Sequence, residues 1–327
     1  MADALKIYKA LADSTRLRLI RLLGRGALSV NEIIEVLQMG QSRISRHLKI
    51  LADADLVRSR REGTWSYYQS NQEPEAPLVV EVLALLHRHE QDLPHYEADL
   101  QALEGVVERR KARTRRFFDS IKDPGEFPQH QSLEGVFYRQ VVLSLLPAEC
   151  GVAVDLGTGV GLLLPALLER ASRVIAVDSS TAMLDLARQT AGAAGARCEF
   201  RLGDLEHLPV ADGEADTAVA CMVLHHLSDP SRALAEAHRA LRLGGNLVIV
   251  DLHQHHDESL RQDTADLWLG FRPEEVKGWL RKIGFELIDS RIVNSTDTLK
   301  LITFRGRRPC RRTPAAPRSA TARRTTK

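Results

Sequence analysis

Apolar residues recur with a helical period over the first third of the chain and gather into short strand-length runs over most of the rest. Behind a candidate cap at Asp13, Leu17, Ile20 and Leu23 form one helical stripe, which leaves Arg16, Arg18 and Arg21 expected at the surface. Ser29-Val-Asn-Glu32 has the spacing of a capping box, so a second helix is expected there with Ile33, Ile34 and Leu37 turned inward. Gly40 then breaks the chain. Ile44, Leu48 and Leu51, at spacings of four and three, fix the buried face of a third helix. The stretch 56–68 reads as a hairpin turning at Glu62-Gly63.

Beyond the hairpin, the apolar run 78–86 predicts a further helix, and helical spacing continues to about Ile121. Asp123-Pro-Gly-Glu-Phe-Pro128 ends it, and an amphipathic helix is expected over 133–146. Strand-like apolar segments then alternate with helical ones at 152–156, 173–178, within 198–209, within 216–227 and at 243–251, and two more, 285–291 and 298–304, form a closing pair. That alternation predicts an α/β domain with a largely parallel sheet.

Composition sharpens the division. At 327 residues the chain is long enough for two cores. Its net charge of +2 conceals 12 Lys/Arg against 7 Asp/Glu over residues 1–72, 24 against 36 over 73–304, and 9 against none over 305–327. A basic head suits nucleic acid, because phosphate neutralisation supplies most non-specific DNA affinity. The four cysteines, Cys150, Cys198, Cys221 and Cys310, form no CxxC pair, so neither a zinc site nor a disulfide framework is indicated and a reducing cytoplasm is expected. No secretory leader follows Met1, and no apolar run approaches the roughly 18 residues of a membrane span.

The outward face of the third helix carries Gln41, Ser42, Arg43, Ser45, Arg46 and Lys49, short hydrogen-bonding groups followed by cations, with no carboxylate before Asp53. Arg58, Arg60 and Arg61 lie on the first hairpin strand, the place of a wing. Leu-Ala-Asp-Ser-Thr-Arg-Leu-Arg-Leu-Ile at 11–20 and Gln-Ser-Arg-Ile-Ser-Arg-His-Leu-Lys-Ile-Leu at 41–51 resemble the ArsR family of bacterial winged-helix repressors over about residues 4–70. The resemblance implies a homodimer on a near-palindromic, double-stranded operator, with those nine residues as its DNA contacts and half-sites about one helical turn apart. The family's metal-sensing cysteine pair would fall near Val30–Glu35, where this chain has none. His87, His89, Glu90 and His95 are no better, because residues two apart on a helix face different ways. No metal is expected.

In the second domain, strand 152–156 carries Asp155 just inside its end and runs into the turn Gly157-Thr-Gly-Val-Gly161. A dinucleotide GxGxxG loop would need its third glycine at 162, which is Leu. Asp155 suits a methionine amino group, and Asp178, about twenty residues on, suits a ribose diol. Met183 lies one turn further, where it can cover an adenine face, and Asp204 follows the third strand as an acceptor for the adenine amino group. The five strand segments together resemble class I S-adenosylmethionine-dependent methyltransferases, a Rossmann-like fold with a seven-stranded mixed sheet. The resemblance implies a cradle of Asp155, Gly157, Gly159, Gly161, Asp178, Met183, Asp204 and Leu205 for S-adenosylmethionine or S-adenosylhomocysteine. The domains expected are 1–72 (ArsR-type winged helix-turn-helix), 73–129 (helical dimerisation and connector segment), 130–305 (methyltransferase) and 306–327 (a disordered basic tail).

Methyl transfer to an acceptor can be driven largely by orientation, so a weak catalytic signature decides little. His225 and His226 follow the fourth strand as candidate bases, with His253, His255 and His256 after the fifth. The basic run 108–116 reads as a solvated linker helix. Phe117, Phe118, Phe127, Phe137 and Tyr138 are candidates to line a substrate pocket or to pack in the core. Two functions compete: a repressor whose second domain senses S-adenosylmethionine or S-adenosylhomocysteine, and an active small-molecule methyltransferase that also regulates transcription.

Overall fold

The computed structural model describes residues 4–62, 65–71, 74, 76–123, 135–294 and 299–310. Its N-terminal domain sets helices α1 (Ala4–Leu11), α2 (Ser14–Gly24), α3 (Val30–Leu37) and α4 (Gln41–Asp53) against a small antiparallel sheet of β1 (Leu28–Ser29), β3 (Trp65–Ser70) and β2 (Val57–Glu62), in that spatial order. Asp13 caps α2 by accepting from the Arg16 amide, and Ser29 with Glu32 forms the capping box of α3. Ile44, Leu48 and Leu51 of α4 are buried, as their spacing predicts. The turn at Gly63 lies outside the described residues.

The expected surface arginines of α2 behave differently. Helix α5 (Pro77–Arg88) and the long helix α6 (Tyr96–Ser120) pack on the other side of α2, so Leu19 and Leu22 are buried alongside Ile20 and Leu23 while Leu17 is only half-buried. Arg18 donates to both oxygens of the buried Asp99 on α6, Arg21 is buried against the same carboxylate, and Arg16 donates to the carbonyls of Lys9 and Ala10. These cations tie helices together because a buried carboxylate needs partners.

The second domain opens with α7 (Gly135–Leu145) and builds one sheet in the order β6 (Cys198–Leu202), β5 (Ala171–Asp178), β4 (Gly151–Leu156), β7 (Ala215–Cys221), β8 (Leu241–Leu252), β10 (Lys300–Arg307), β9 (Glu286–Asn294). The first five are parallel, and β10 runs antiparallel to both neighbours. It is a seven-stranded mixed sheet, as the sequence predicts. Helices α8 (Leu164–Leu168), α9 (Thr181–Ala191), α10 (Pro230–Ala240), α11 (Leu260–Asp263) and α12 (Pro273–Ile283) complete the domain. Apolar cores fill both faces of the sheet. Strand order reverses between β4 and β7, which opens a crevice at their carboxyl ends.

Two expectations about boundaries change. The basic tail does not begin at 306: β10 runs through Arg307, Arg308 exchanges backbone hydrogen bonds with Gly244 and Gly245, and its guanidinium donates to the carbonyls of His238, Arg239 and Leu241. Residues 311–327 lie outside the described residues. The run 108–116 is helical with Glu108, Arg109, Arg113, Arg115 and Arg116 exposed, but Arg110 and Lys111 are paired and half-buried, so it is more than a linker. It forms the second half of α6, which lies against α9 of the second domain. Among the described residues no helix is long and apolar enough to cross a membrane.

Candidate functional site

A pocket occupies the crevice at the ends of β4 and β7. Its floor is the glycine loop after β4, and the chain turns sharply there: Gly157, Gly159 and Gly161 all have positive φ. A Cβ on Gly157 would stand 2.3 Å from Val223 Cγ2, and one on Gly161 would meet the Ala187 backbone of α9 at 2.9 Å. Gly157 therefore keeps the pocket floor low, whereas Gly161 lets α9 approach.

Five of the eight cradle residues line this pocket: Gly157, Gly159, Asp178, Asp204 and Leu205. The other three lie behind it. Asp155 is buried and accepts from Thr158 Oγ1 at 2.8 Å, Gly161 packs on α9, and Met183 is enclosed with Val160, Leu186, Ile121, Phe117 and Phe118. Asp178 accepts from the amides of Gly159 and Ser180, both at 2.9 Å, so the carboxylate holds the loop's shape as well as facing the pocket. Burial raises Asp155 to about 6, against the Thr158 bond and with help from the Asp178 charge; it raises Asp178 likewise to about 6, against its backbone donors.

The pocket's outer wall comes from α6. Lys111, Thr114, Arg115 and Phe118 line it, and their spacing of three, four and seven residues puts them on one helical face. Lys111 Nζ lies 2.7 Å from Asp204 Oδ2 and 2.7 Å from Glu206 Oε2. Burial opposes charge on these groups, but pairing outweighs it: Lys111 is held above the usual lysine range and Asp204 below the usual carboxylate range. Next to Phe118, Asp119 accepts from Ser180 Oγ at 2.6 Å. The same helix meets the N-terminal domain through Asp99, Arg109 and Arg110, the last two pairing with Glu35 and Glu32 of α3. Sequence reasoning passed over Lys111 because it sits in a run of arginines; its phase with Phe118 was the signal.

Of the expected aromatic residues, Phe118 lines the pocket, Phe117 packs beside Met183, Tyr138 is in the core with Phe137 against it, and Phe127 lies outside the described residues. The two histidines after β7 separate. His226 lines the pocket, its ring edge-on to Phe118. His225 is fully buried and does not reach the pocket; its Nδ1 lies 2.7 Å from Asp251 Oδ1. Burial would depress that imidazole, but Asp251 and Asp266 flank it and raise it to about 9. His255 is pushed down to about 4, by burial first and then by His225. Asp251, at the end of β8, and Asp266, in the loop before α12, were not singled out in the sequence.

On the N-terminal domain, Gln41, Ser42, Arg43, Ser45, Arg46 and Lys49 all lie exposed on α4. Arg58 and Arg61 are exposed on β2. Arg60 is turned away from that surface. Its Nη1 donates to both carboxylate oxygens of Glu275 at 2.8 Å, Nη2 donates to the Gly270 carbonyl, and its guanidinium lies over Trp268 and Phe271. Tyr67 of β3 packs on Trp268 with ring centroids 5.1 Å apart. The wing is docked on the second domain.

Residues 13–59 match the bacterial regulatory protein family arsR, and residues 154–249 match the methyltransferase domain family. The chain is 43% identical to the arsenical resistance operon repressor of Bacillus subtilis over 82 residues, which are 25% of this chain and 78% of the repressor. It is 45% identical to a 37.1 kDa protein of transposon TN4556 from Streptomyces fradiae over 134 residues, 40% of this chain and only 38% of that protein. The fold is similar to that of the methyltransferase solved with a Haloferax volcanii methyltransferase activator, with a TM-score of 0.52 and 21% identity, covering 59% of this chain and 97% of the other. The chain belongs to the ArsR family of bacterial regulatory proteins, and behind its winged-helix domain it carries a class I S-adenosylmethionine-dependent methyltransferase fold.

Proposed function

We propose that this protein is a DNA-binding transcriptional repressor, acting as a cytoplasmic homodimer on a near-palindromic operator, whose second domain binds S-adenosylmethionine or S-adenosylhomocysteine as effector. The observation that carries this reading is the position of α6. Its first half is fastened to α2 and α3 by Asp99, Arg109 and Arg110, and its second half is the wall of the pocket. A ligand filling the pocket therefore touches the same helix that packs on α2 and α3, the two helices against which α4 rests.

Lys111 supplies the differential contact that coupling requires. It occupies Asp204, the carboxylate assigned to the adenine amino group, so a ligand that takes Asp204 competes with α6 for it. Asp178 would take the ribose hydroxyls, and Asp155 behind the loop would support the methionine amino group. A typical coupling of about 1–3 kcal/mol corresponds to a change in operator affinity of roughly 5–150-fold. Gel shifts with and without saturating S-adenosylmethionine and S-adenosylhomocysteine test this. Identical operator affinity in all three conditions contradicts it.

His226 on the pocket wall favours a second reading, an active small-molecule methyltransferase that also regulates transcription. Transfer of labelled methyl groups to a metabolite in cell extract, abolished in Asp178→Ala, supports turnover. Its absence leaves the pocket as a sensor.

A further inference from the structure

Beneath the pocket, three side chains converge that the regulatory reading does not use. His225 Nε2 lies 3.7 Å from Asp266 Oδ1, and His226 Nδ1 lies 3.7 Å from the same oxygen. The three atoms fall within 4.8 Å of one another. We propose that His225, His226 and Asp266 form a binding site for a divalent transition-metal ion, with Asp251 as the residue that orients His225.

The distances are those of ligands around an ion and not of a hydrogen bond. Bonds of about 2.0–2.2 Å at a tetrahedral angle place neighbouring N and O ligands roughly 3.3–3.5 Å apart, whereas an N–H···O bond closes to about 2.9 Å. Both nitrogen–oxygen gaps are near the first value. His225 Nε2 is fully buried with no hydrogen-bond partner, and it is aimed at Asp266. A buried polar atom left in that state asks for an occupant.

The tautomer fits as well. Asp251 accepts from the amides of Leu224 and Leu252 at 2.8 Å each, so both of its oxygens are fixed, and Oδ1 meets His225 Nδ1 at 2.7 Å. With Nδ1–H donated to that carboxylate, Nε2 is the nitrogen left facing the site, where an ion takes the place of its proton. This is the carboxylate–histidine pairing that ordinarily stands behind a metal-bound imidazole. Asp266 enters from a loop that turns through left-handed Ala265, with φ of 58°, and the Leu267 and Trp268 amides clip that loop to the His225 carbonyl at 3.0 Å.

Two imidazoles and one carboxylate suit zinc, iron(II) or cobalt(II) better than calcium or magnesium, which prefer all-oxygen shells. Three protein ligands leave a coordination position open, and His226 borders the pocket. Asp266 also stands two residues before Trp268, against which the wing's Tyr67 packs, so the ion would brace the loop on which the wing rests.

The test uses the full-length protein stripped with chelator and titrated with cobalt(II), followed by displacement with zinc. The expected result is one equivalent bound, seen as the visible absorption of a low-coordinate cobalt site. It is lost in Asp266→Ala and in His226→Ala, weakened about 10–100-fold in Asp251→Asn, and kept in His253→Ala. Circular dichroism checks folding of each variant. Stripped, folded wild-type protein that takes up no cobalt or zinc overturns the proposal, and so does uptake that survives both Asp266→Ala and His226→Ala. This outcome is independent of whether the operator responds to S-adenosylmethionine.

Discussion

Single residues in the pocket do two jobs at once, and this governs how their substitution reads out. Asp178 faces the pocket while holding Gly159 and Ser180 amides. If the charge-assisted hydrogen bonds to a ribose are worth about 1.5–3 kcal/mol each, Asp178→Ala lowers affinity for S-adenosylhomocysteine by more than tenfold, measurable by calorimetry. The raised values of Asp155 and Asp178, both about 6, set the pH dependence. A carboxyl whose folded value lies above its unfolded one favours the folded state when protonated, so these two groups destabilise the unliganded protein as pH rises through 4 to 6. A ligand that needs them ionised binds more weakly as pH falls below about 6. The thermal shift produced by S-adenosylhomocysteine should therefore shrink from pH 7.5 to pH 5.5; a constant shift contradicts the assignment. Asp178 and Asp204 were legible because each ends or follows a strand at a fixed distance from the glycine loop. Met183 was placed by the same spacing but is covered by Ile121 and the phenylalanines of α6, a tertiary contact that no local pattern announces.

Elements follow the same division. The phase of α4, the helix proposed to read DNA, was legible: Ile44, Leu48 and Leu51 are buried and the outward set is exposed, with His47 an additional buried residue. Arg46→Ala should reduce operator affinity while leaving ligand affinity and melting temperature unchanged, because Arg46 is exposed. Arg18, Arg21 and Arg60 were misplaced by reasoning that puts cations at the surface, since their carboxylate partners Asp99 and Glu275 lie tens to hundreds of residues away. Asp99 anchors α6 to α2, and removing it takes the carboxylate from both Arg18 and Arg21, leaving Arg21 buried with only the carbonyls of Glu90, Leu93, Pro94 and His95. Asp99→Ala is expected to destabilise the N-terminal domain by about 3–5 kcal/mol, read by urea unfolding. A change below 1 kcal/mol would mean that the pairing adds little. Helix α6 itself was visible as a helix, but its role as a pocket wall was hidden because its charges invite a solvated reading.

At the scale of the molecule, two contacts among the described residues join the domains: α6 spans from α3 to the pocket, and the wing sits on the loop around Trp268 through Arg60 and Tyr67. The second contact leads directly to the wing, and the first leads through α3 to α4, the two parts of the first domain expected to meet DNA. The account therefore stands on one coupling, and Lys111 is where it can be cut without touching the recognition face. The most direct measurement is operator affinity of wild type and Lys111→Ala, each with and without saturating S-adenosylhomocysteine, by fluorescence anisotropy at fixed salt. Wild-type affinity is predicted to change at least fivefold on adding ligand, and the change to shrink in Lys111→Ala while its ligand still binds. Wild-type operator affinity that is the same with and without bound ligand would contradict the account.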